Sequence, residues 1–281
     1  MWFAESEFTQ VEPVYTKIKI KVKETLYQGQ SPFQKIDIYN TYDHGKMLTL
    51  DDIVMVTERD EFVYHEMLTH IPLFTHQNPE NVLIIGGGDG GTLREVVKHQ
   101  KVIKADMCEI DGLVVEKCQD YFNFFDGVLE QEKANLYIED GFHFLEKNKN
   151  SYQVILVDST DPVGEAEKLF DISFYKLCYD ALSDDGILVV QSESPFYNLN
   201  IIGELKKKFD SLFQESFLYT ANIPTYPSGY WSFMMGSKRY HPEKNFNESE
   251  VDTLNLDLNY YNKKIHQAAF VLPTYIQKGL Q

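Results

Sequence analysis

The stretch Val82-Leu83-Ile84-Ile85-Gly86-Gly87-Gly88-Asp89-Gly90-Gly91 decides the fold. Four consecutive apolar residues bounded by a turn signal read as a strand buried on both faces. The glycines after them let the backbone turn sharply and come close to a ligand. A helical pattern follows from Gly91 to Lys98. Strand, glycine turn and helix form the opening of a nucleotide-binding βα unit, and Gly86-x-Gly88-x-x-Gly91 fits its fingerprint.

Downstream, the apolar runs Val102 to Ile110, Leu136 to Ile138, Val154 to Val157 and Ile187 to Val190 mostly alternate with helical stretches such as Leu113 to Phe122. That alternation predicts an α/β fold with a doubly wound, Rossmann-like parallel sheet. Strand patterning returns after Tyr219, with Ser232 to Gly236 before a helical tail. Upstream, Thr57-Glu58-Arg59-Asp60 fits a capping box, and Val63, Met67, Ile71 and Phe74 form the buried stripe of the helix it would open. Residues 1–57 read differently. Lys17, Lys19, Lys21 and Lys23 alternate with Ile18, Ile20 and Val22, and short strands are expected at Lys35 to Tyr39, Met47 to Leu50 and Ile53 to Val56. The expected organisation is a small N-terminal antiparallel β domain, 1–57, and a catalytic nucleoside-binding domain, 58–281.

Composition narrows the function classes. The chain has 281 residues, 43% hydrophobic and 25% charged, which is ordinary for a globular protein. No apolar run approaches the roughly 20 residues of a membrane-spanning helix. The start, MWFAESEFTQ, has no basic or apolar signal segment. The three cysteines, Cys108, Cys118 and Cys178, form no CxxC pair, so a reducing cytoplasm is expected. The eight histidines have no HxxxH spacing, and no metal is expected. The net charge of −17 repels nucleic acid and anionic lipid and attracts cations.

The acids near the predicted strand ends give that charge a use. Glu109 lies twenty residues after Asp89, where an acid typically holds ribose hydroxyls. Asp89 itself would repel a pyrophosphate and suits a cationic group, which favours a sulfonium nucleoside over a dinucleotide. Asp140-Gly141 ends the third strand. As a bare dipeptide it is a turn signal, and beside a nucleoside it could accept from an adenine amine. Asp158-Ser159-Thr160-Asp161-Pro162 follows the strand at Val154 to Val157, on the edge of the sheet where ligands bind. Asp158 alone could equally cap the next helix. Two acids here with Asp89 nearby, and no lysine or arginine in these loops, favour a cation site.

GGGDGG, CEID with Glu109, DSTDP, the helix ERDEFVYHEM (Glu58 to Met67), IPTYPSG (Ile223 to Gly229) and the tail YYN…IHQAAFVLP resemble the spermidine synthases, a family of polyamine aminopropyltransferases. The resemblance covers nearly the whole chain. It implies a methyltransferase-type Rossmann-like domain and transfer of an aminopropyl group from decarboxylated S-adenosylmethionine to putrescine, giving spermidine and 5′-methylthioadenosine. It further implies Asp158 as proton acceptor. Tyr64, His65, Asp89, Ser159, Thr160, Asp161 and Tyr226 become diamine or polyamine contacts, with Asp89 on the donor's propylamine. Gln34, Gly86, Gly88, Glu109, Asp140 and Gly141 become nucleoside contacts. Decarboxylated S-adenosylmethionine would be a co-substrate, with no resident cofactor, and the protein a homodimer or homotetramer. One departure stands out: Asp161-Pro162-Val163-Gly164-Glu165 carries Glu165 where the family usually has a proline that touches the nucleoside. Alternatives are a methyltransferase using ordinary S-adenosylmethionine, a non-catalytic polyamine-binding module and an NAD-dependent dehydrogenase.

The chemistry sets a demand. An amine with a pKa of about 10.4 facing an aspartate of about 3.9 is mismatched by about 9 kcal/mol. The site must lower the amine, raise the acid, or both.

Overall fold

The computed structural model describes residues 1–5, 16–159 and 169–281. An antiparallel sheet opens the chain. Its five strands lie in sequence order: β1 (Trp2–Ala4), β2 (Lys19–Gln30), β3 (Lys35–Thr41), β4 (Lys46–Leu50) and β5 (Ile53–Thr57). In β2, Lys19, Lys21 and Lys23 face solvent while Ile20 and Val22 are buried, so the period of two read from the lysine row holds. Ile20 and Val22 join Phe3, Tyr39, Met47 and Val54 in a small core of this sheet. The β4–β5 turn runs through Asp51 and Asp52, both at positive φ (49° and 63°). That pair of dihedrals matches the twist of a two-residue hairpin, and aspartate tolerates the left-handed region better than most residues.

Helix α1 (Glu61–Thr75) links the two sheets and departs from its sequence expectation twice. The capping box does not form. Asp60 is the N-cap and makes no side-chain cap bond, because its carboxylate is committed elsewhere: Oδ1 accepts from the Thr57 hydroxyl at 2.6 Å, and Oδ2 accepts from Thr225. The helix also has no polar face over most of its length. Every residue from Val63 to Thr75 is buried, since α1 packs against α2 (Gly91–Val97) as well as against the large sheet. The buried Glu66 carboxylate stays satisfied by accepting the backbone N–H groups of Asn259, Tyr260 and Tyr261 at 2.7–2.9 Å, which pins the C-terminal segment to the helix.

The large sheet has seven strands: β6 (Asn81–Gly86), β7 (Lys104–Glu109), β8 (Ala134–Ile138), β9 (Tyr152–Asp158), β10 (Leu182–Gln191), β11 (Glu215–Asn222) and β12 (Tyr230–Ser237), in the order β11-β12-β10-β9-β6-β7-β8. The run β10-β9-β6-β7-β8 is parallel, and β12 pairs antiparallel with both β10 and β11. Between the parallel strands lie α2, α3 (Gly112–Tyr121), α4 (Gly141–Lys147) and α5 (Ile172–Ala181); α6 (Leu199–Leu212) precedes β11, and α7 (Glu248–Leu254), α8 (Lys263–Ala269) and α9 (Thr274–Gly279) form the tail. Burial of β6 on both faces is direct: Val82 and Ile84 belong to one core cluster, Leu83 and Ile85 to the other. The short run at Leu136 to Ile138 is less buried than its composition suggests, because β8 is the sheet edge and Ile138 is 53% exposed.

The order of strands places the site. From β6 the chain winds outward through β7 and β8, then returns to lay β9 on the other side of β6. Ligands in such sheets bind outside the carboxyl ends of the strands at that reversal. Here those ends are Gly86 and Asp158, which are direct register partners.

Candidate active site

A cavity of about 270 Å³ opens at the reversal point. Its walls carry Gln34, Tyr64, His65, Gly86, Gly88, Asp89, Glu109, Asp140, Gly141, Asp158, Ser159 and Tyr226 from the sequence-derived set. Residues from the N-terminal sheet, Glu5 and Val54 among them, close it on one side. Thr160 and Asp161, together with Glu165, lie outside the described residues.

The glycine turn is shaped by contact with Asp158. Gly86 sits at φ +83°, and a Cβ there would come within 2.2 Å of the Asp158 carbonyl oxygen. That oxygen accepts the Gly87 N–H at 2.8 Å, so the β6 and β9 termini are tied together where a side chain cannot fit. The Asp158 side chain is held by two hydroxyls. Its Oδ2 accepts from the Thr92 hydroxyl at 2.6 Å, and the Tyr64 hydroxyl donates to the same carboxylate. Burial first, then the charge of Asp89, push the Asp158 carboxyl up to about 6, against the opposing pull of His65, Thr92 and Tyr64.

Asp89 Oδ1 accepts the Gly91 N–H at 2.6 Å and faces His65 Nε2 at 3.2 Å. Neither Asp89 nor Asp158 has a lysine or arginine partner among the described residues. Tyr64 packs edge-on to Tyr226 with ring centroids 6.0 Å apart, and the Tyr226 hydroxyl donates to the Met55 carbonyl. Two aromatic rings therefore stand beside two carboxylates, an apolar wall with acidic points.

Another part of the wall is built from β7 and its neighbours. Glu109 Oε1 accepts the Asp111 N–H at 2.8 Å. Burial raises Glu109 to about 7 despite the backbone bonds from Asp111 and Ile110 that favour its charge. Gln34 donates to Asp111 Oδ2 at 3.0 Å, and Ser31 donates to the same oxygen at 2.6 Å, so the loop of the N-terminal sheet is bolted to the start of α3. Asp140 caps α4 by accepting the Phe142 N–H at 2.8 Å. The turn role of Asp140-Gly141 and its place on the cavity wall coexist.

Two family models match the chain. Residues 61–248 match the model of the spermine/spermidine synthase domain, and residues 1–58 match that of the spermidine synthase tetramerisation domain. The chain is 46% identical over 280 residues to the polyamine aminopropyltransferase of Clostridium kluyveri, covering 99% of this chain and 98% of that one. It is 47% identical over 271 residues to that of Clostridium botulinum, covering 96% and 95%. A spermidine synthase crystallised with the transition-state analogue AdoDATO superposes with a TM-score of 0.95 at 42% identity, covering 100% of this chain and 94% of that one. The spermidine synthase of Thermotoga maritima gives 0.93 at 41%, with the same coverage.

This chain belongs to the spermidine synthase family. It is thereby a transferase of the aminopropyltransferase class, with the family's methyltransferase-like α/β domain.

Several residues that hold the cavity walls in place carry no clear signal in the sequence. Thr92 follows the glycine motif, but a threonine opening a helix signals nothing by itself. Glu61 and Arg94 lie behind His65: Glu61 Oε2 is 2.5 Å from His65 Nδ1 and accepts from Arg94 at 2.8 Å. The i, i+4 spacing of Glu61 and His65 was a readable signal; Arg94, on another helix, was not. The spacing of Thr57 and Asp60 suggests a capping box, whereas Asp60 ties α1 to the Thr225-Tyr226 turn.

Proposed function

We propose that this protein transfers the aminopropyl group of decarboxylated S-adenosylmethionine to putrescine, releasing 5′-methylthioadenosine and spermidine. The observation that carries this reading is the pair Asp89 and Asp158, held in one cavity with Glu109 and free of lysine and arginine partners among the described residues. A dicationic donor and a diamine bring positive charge that no lysine or arginine supplies to this trough. Ordinary S-adenosylmethionine brings a carboxylate toward Asp89, which opposes its binding.

In this reading Glu109 holds the ribose, Gln34 and Asp140-Gly141 border the nucleoside, and Asp89 anchors the donor's propylamine. The acceptor lies along Tyr64 and Tyr226 with its reactive nitrogen at Asp158 and Ser159 beside it; the family resemblance implies Thr160 and Asp161 as further diamine contacts. The nitrogen attacks the carbon next to the sulfonium in line, the C–S bond breaks, and the thioether keeps the bonding pair. Alignment supplies up to roughly 7–11 kcal/mol in favourable cases. Asp158 takes the proton. With its carboxyl near 6, the gap to an amine at about 10.4 narrows to about 4 units, about 6 kcal/mol. Repulsion between the adjacent sulfonium and the ammonium lowers the amine further.

No resident cofactor enters this scheme; the nucleoside is a co-substrate. The match of residues 1–58 to a tetramerisation domain supports a homo-oligomer, with a dimer or tetramer as the finer expectation. No helix among the described residues is long and apolar enough to cross a membrane. Cys108, Cys118 and Cys178 are free and buried, which fits the expected cytoplasmic setting.

The test is a product assay with the decarboxylated donor against putrescine, cadaverine, agmatine and spermidine. Methylthioadenosine release with putrescine as the preferred acceptor supports the reading. Methyl transfer from ordinary S-adenosylmethionine, or no turnover with any amine, overturns it.

A further inference from the structure

His65 lies between two carboxylates, and its environment dictates its protons. Nδ1 is 2.5 Å from Glu61 Oε2 and Nε2 is 3.2 Å from Asp89 Oδ1. A neutral imidazole has one N–H and one lone pair. Whichever tautomer it adopted, a lone pair would face a carboxylate oxygen, so both contacts are attractive only if both ring nitrogens carry hydrogen. The ring cannot turn away. It is 2% exposed, and a Cβ on Gly91 would come within 2.2–2.5 Å of three of its atoms, so it rests on bare backbone. Glu61 is fixed in turn by Arg94, whose Nε also donates to Glu95 at 2.9 Å.

The groups around the ring come from three directions. Glu61 and Tyr64 stand on α1, Arg94 on α2 with Asp89 in the turn before it, and Asp158 at the end of β9. Burial works against the ring's charge, but Asp89 and then Glu61 outweigh it and hold His65 well above the usual histidine range. A ring charged in this position serves as the counter-ion of Asp89.

An alkylammonium arriving at Asp89 brings its own charge and its own N–H donors. It competes with the imidazolium for the same carboxylate, and two cations side by side repel. A neutral Nε2, by contrast, accepts from the ammonium.

We propose that Glu61, anchored by Arg94, is a positioning residue that keeps His65 doubly protonated in the empty site, and that amine binding at Asp89 expels the Nε2 proton to solvent. His65 thereby changes from donor to acceptor, and one cation replaces another at constant charge. The inference rests on reading the trough as an amine site.

Calorimetry of spermidine binding tests it, on enzyme preloaded with 5′-methylthioadenosine, at pH 8, in two buffers of different ionisation enthalpy. At that pH the polyamine ammoniums enter charged, and the carboxyls of Asp158, near 6, and Glu109, near 7, are largely ionised. The expected release is about one proton per spermidine. His65→Gln should still bind, more weakly, with essentially no release. Glu61→Gln removes one of the two carboxylates that hold the ring charged and should cut release to below about a third of a proton. A buffer-independent heat in the wild type, or unchanged release in His65→Gln, overturns the proposal while leaving the amine site intact. Absence of any spermidine binding would instead sink the amine-site reading and this inference with it.

Discussion

Thr92 Oγ1 donates to Asp158 Oδ2 at 2.6 Å, joining the first turn of α2 to the end of β9. The bond occupies one carboxylate oxygen, fixes the plane of the group and stabilises its charged form. Thr92→Val keeps the shape and removes the donor. Hydrogen bonds to charged groups are worth about 1.5–3 kcal/mol, and one pKa unit is 1.36 kcal/mol. The acid limb of kcat/KM against pH should therefore move up by about one to two units from its position near pH 6. Thr92→Ser should restore it. An unmoved limb in Thr92→Val would show that the hydroxyl does not tune Asp158.

Asp158 also separates activity from stability. Its folded-state value near 6 lies above the ordinary aspartate value of 3.8. The folded protein thus binds this proton more tightly than the unfolded chain does. The associated stability is complete below about pH 4 and is lost as pH rises through 6. Asp158→Asn escapes that loss, on the order of 2–3 kcal/mol from a two-unit shift. Its melting temperature should match that of the wild type near pH 4 and exceed it by several degrees at pH 8. The same variant should lose roughly 10²–10⁴-fold in kcat, the usual worth of a general base. Equal melting curves at pH 8, with turnover retained, would remove both roles.

What could be read in the chain was mostly local. The run Val82 to Ile85 and the glycines after it fixed a buried strand and a tight turn, because both signals lie within a few consecutive residues. The acids Asp89, Glu109 and Asp158 could be placed together because each follows a strand in a parallel sheet, and all such strands end on one side. Arg94 and Thr92 could not be assigned, since their partners lie on other elements and no spacing records a contact across 33 or 66 residues. Asp60 was misread for a related reason. Its spacing from Thr57 imitates a capping box, and the Thr57 bond does form, while the other partner, Thr225, is 165 residues away.

Glu109 should make nucleoside affinity depend on pH. Ribose hydroxyls donate best to an ionised carboxylate, and this one is held near 7 in the free protein. Binding of 5′-methylthioadenosine, an uncharged ligand, should be about tenfold weaker at pH 6 than at pH 8, following the ionised fraction. Glu109→Gln should weaken binding at pH 8 by roughly 10–100-fold, the worth of hydrogen bonds to a charged acceptor. It should also flatten the pH dependence. Titration calorimetry at the two pH values reads both effects, and a variant with wild-type affinity would place the ribose elsewhere.

Asp60 is buried, and its two oxygens take three donors: the Thr57 hydroxyl, the Thr225 N–H and the Thr225 hydroxyl. These bonds hold the turn that carries Tyr226 against the start of α1, and Tyr226 in turn reaches the Met55 carbonyl on β5. Asp60→Ala leaves the Thr225 N–H without a partner, while the two hydroxyls can rotate toward others. The cost should be about 2–4 kcal/mol, since each unsatisfied buried group is worth about 1–3. The melting temperature should fall by roughly 5–10 °C. Because Tyr226 walls the proposed diamine path and does not take part in bond making, the KM for putrescine should rise several-fold with kcat little changed. Asp60→Asn supplies the control. Its carbonyl oxygen can accept both Thr225 donors and its amide can donate to Thr57, so all three links survive without the charge. That variant should keep most of the stability and a near-normal KM. If Asp60→Asn were as damaged as Asp60→Ala, the negative charge itself, acting on the amine, would be the operative property, and Asp60 would belong with the acids that bind substrate.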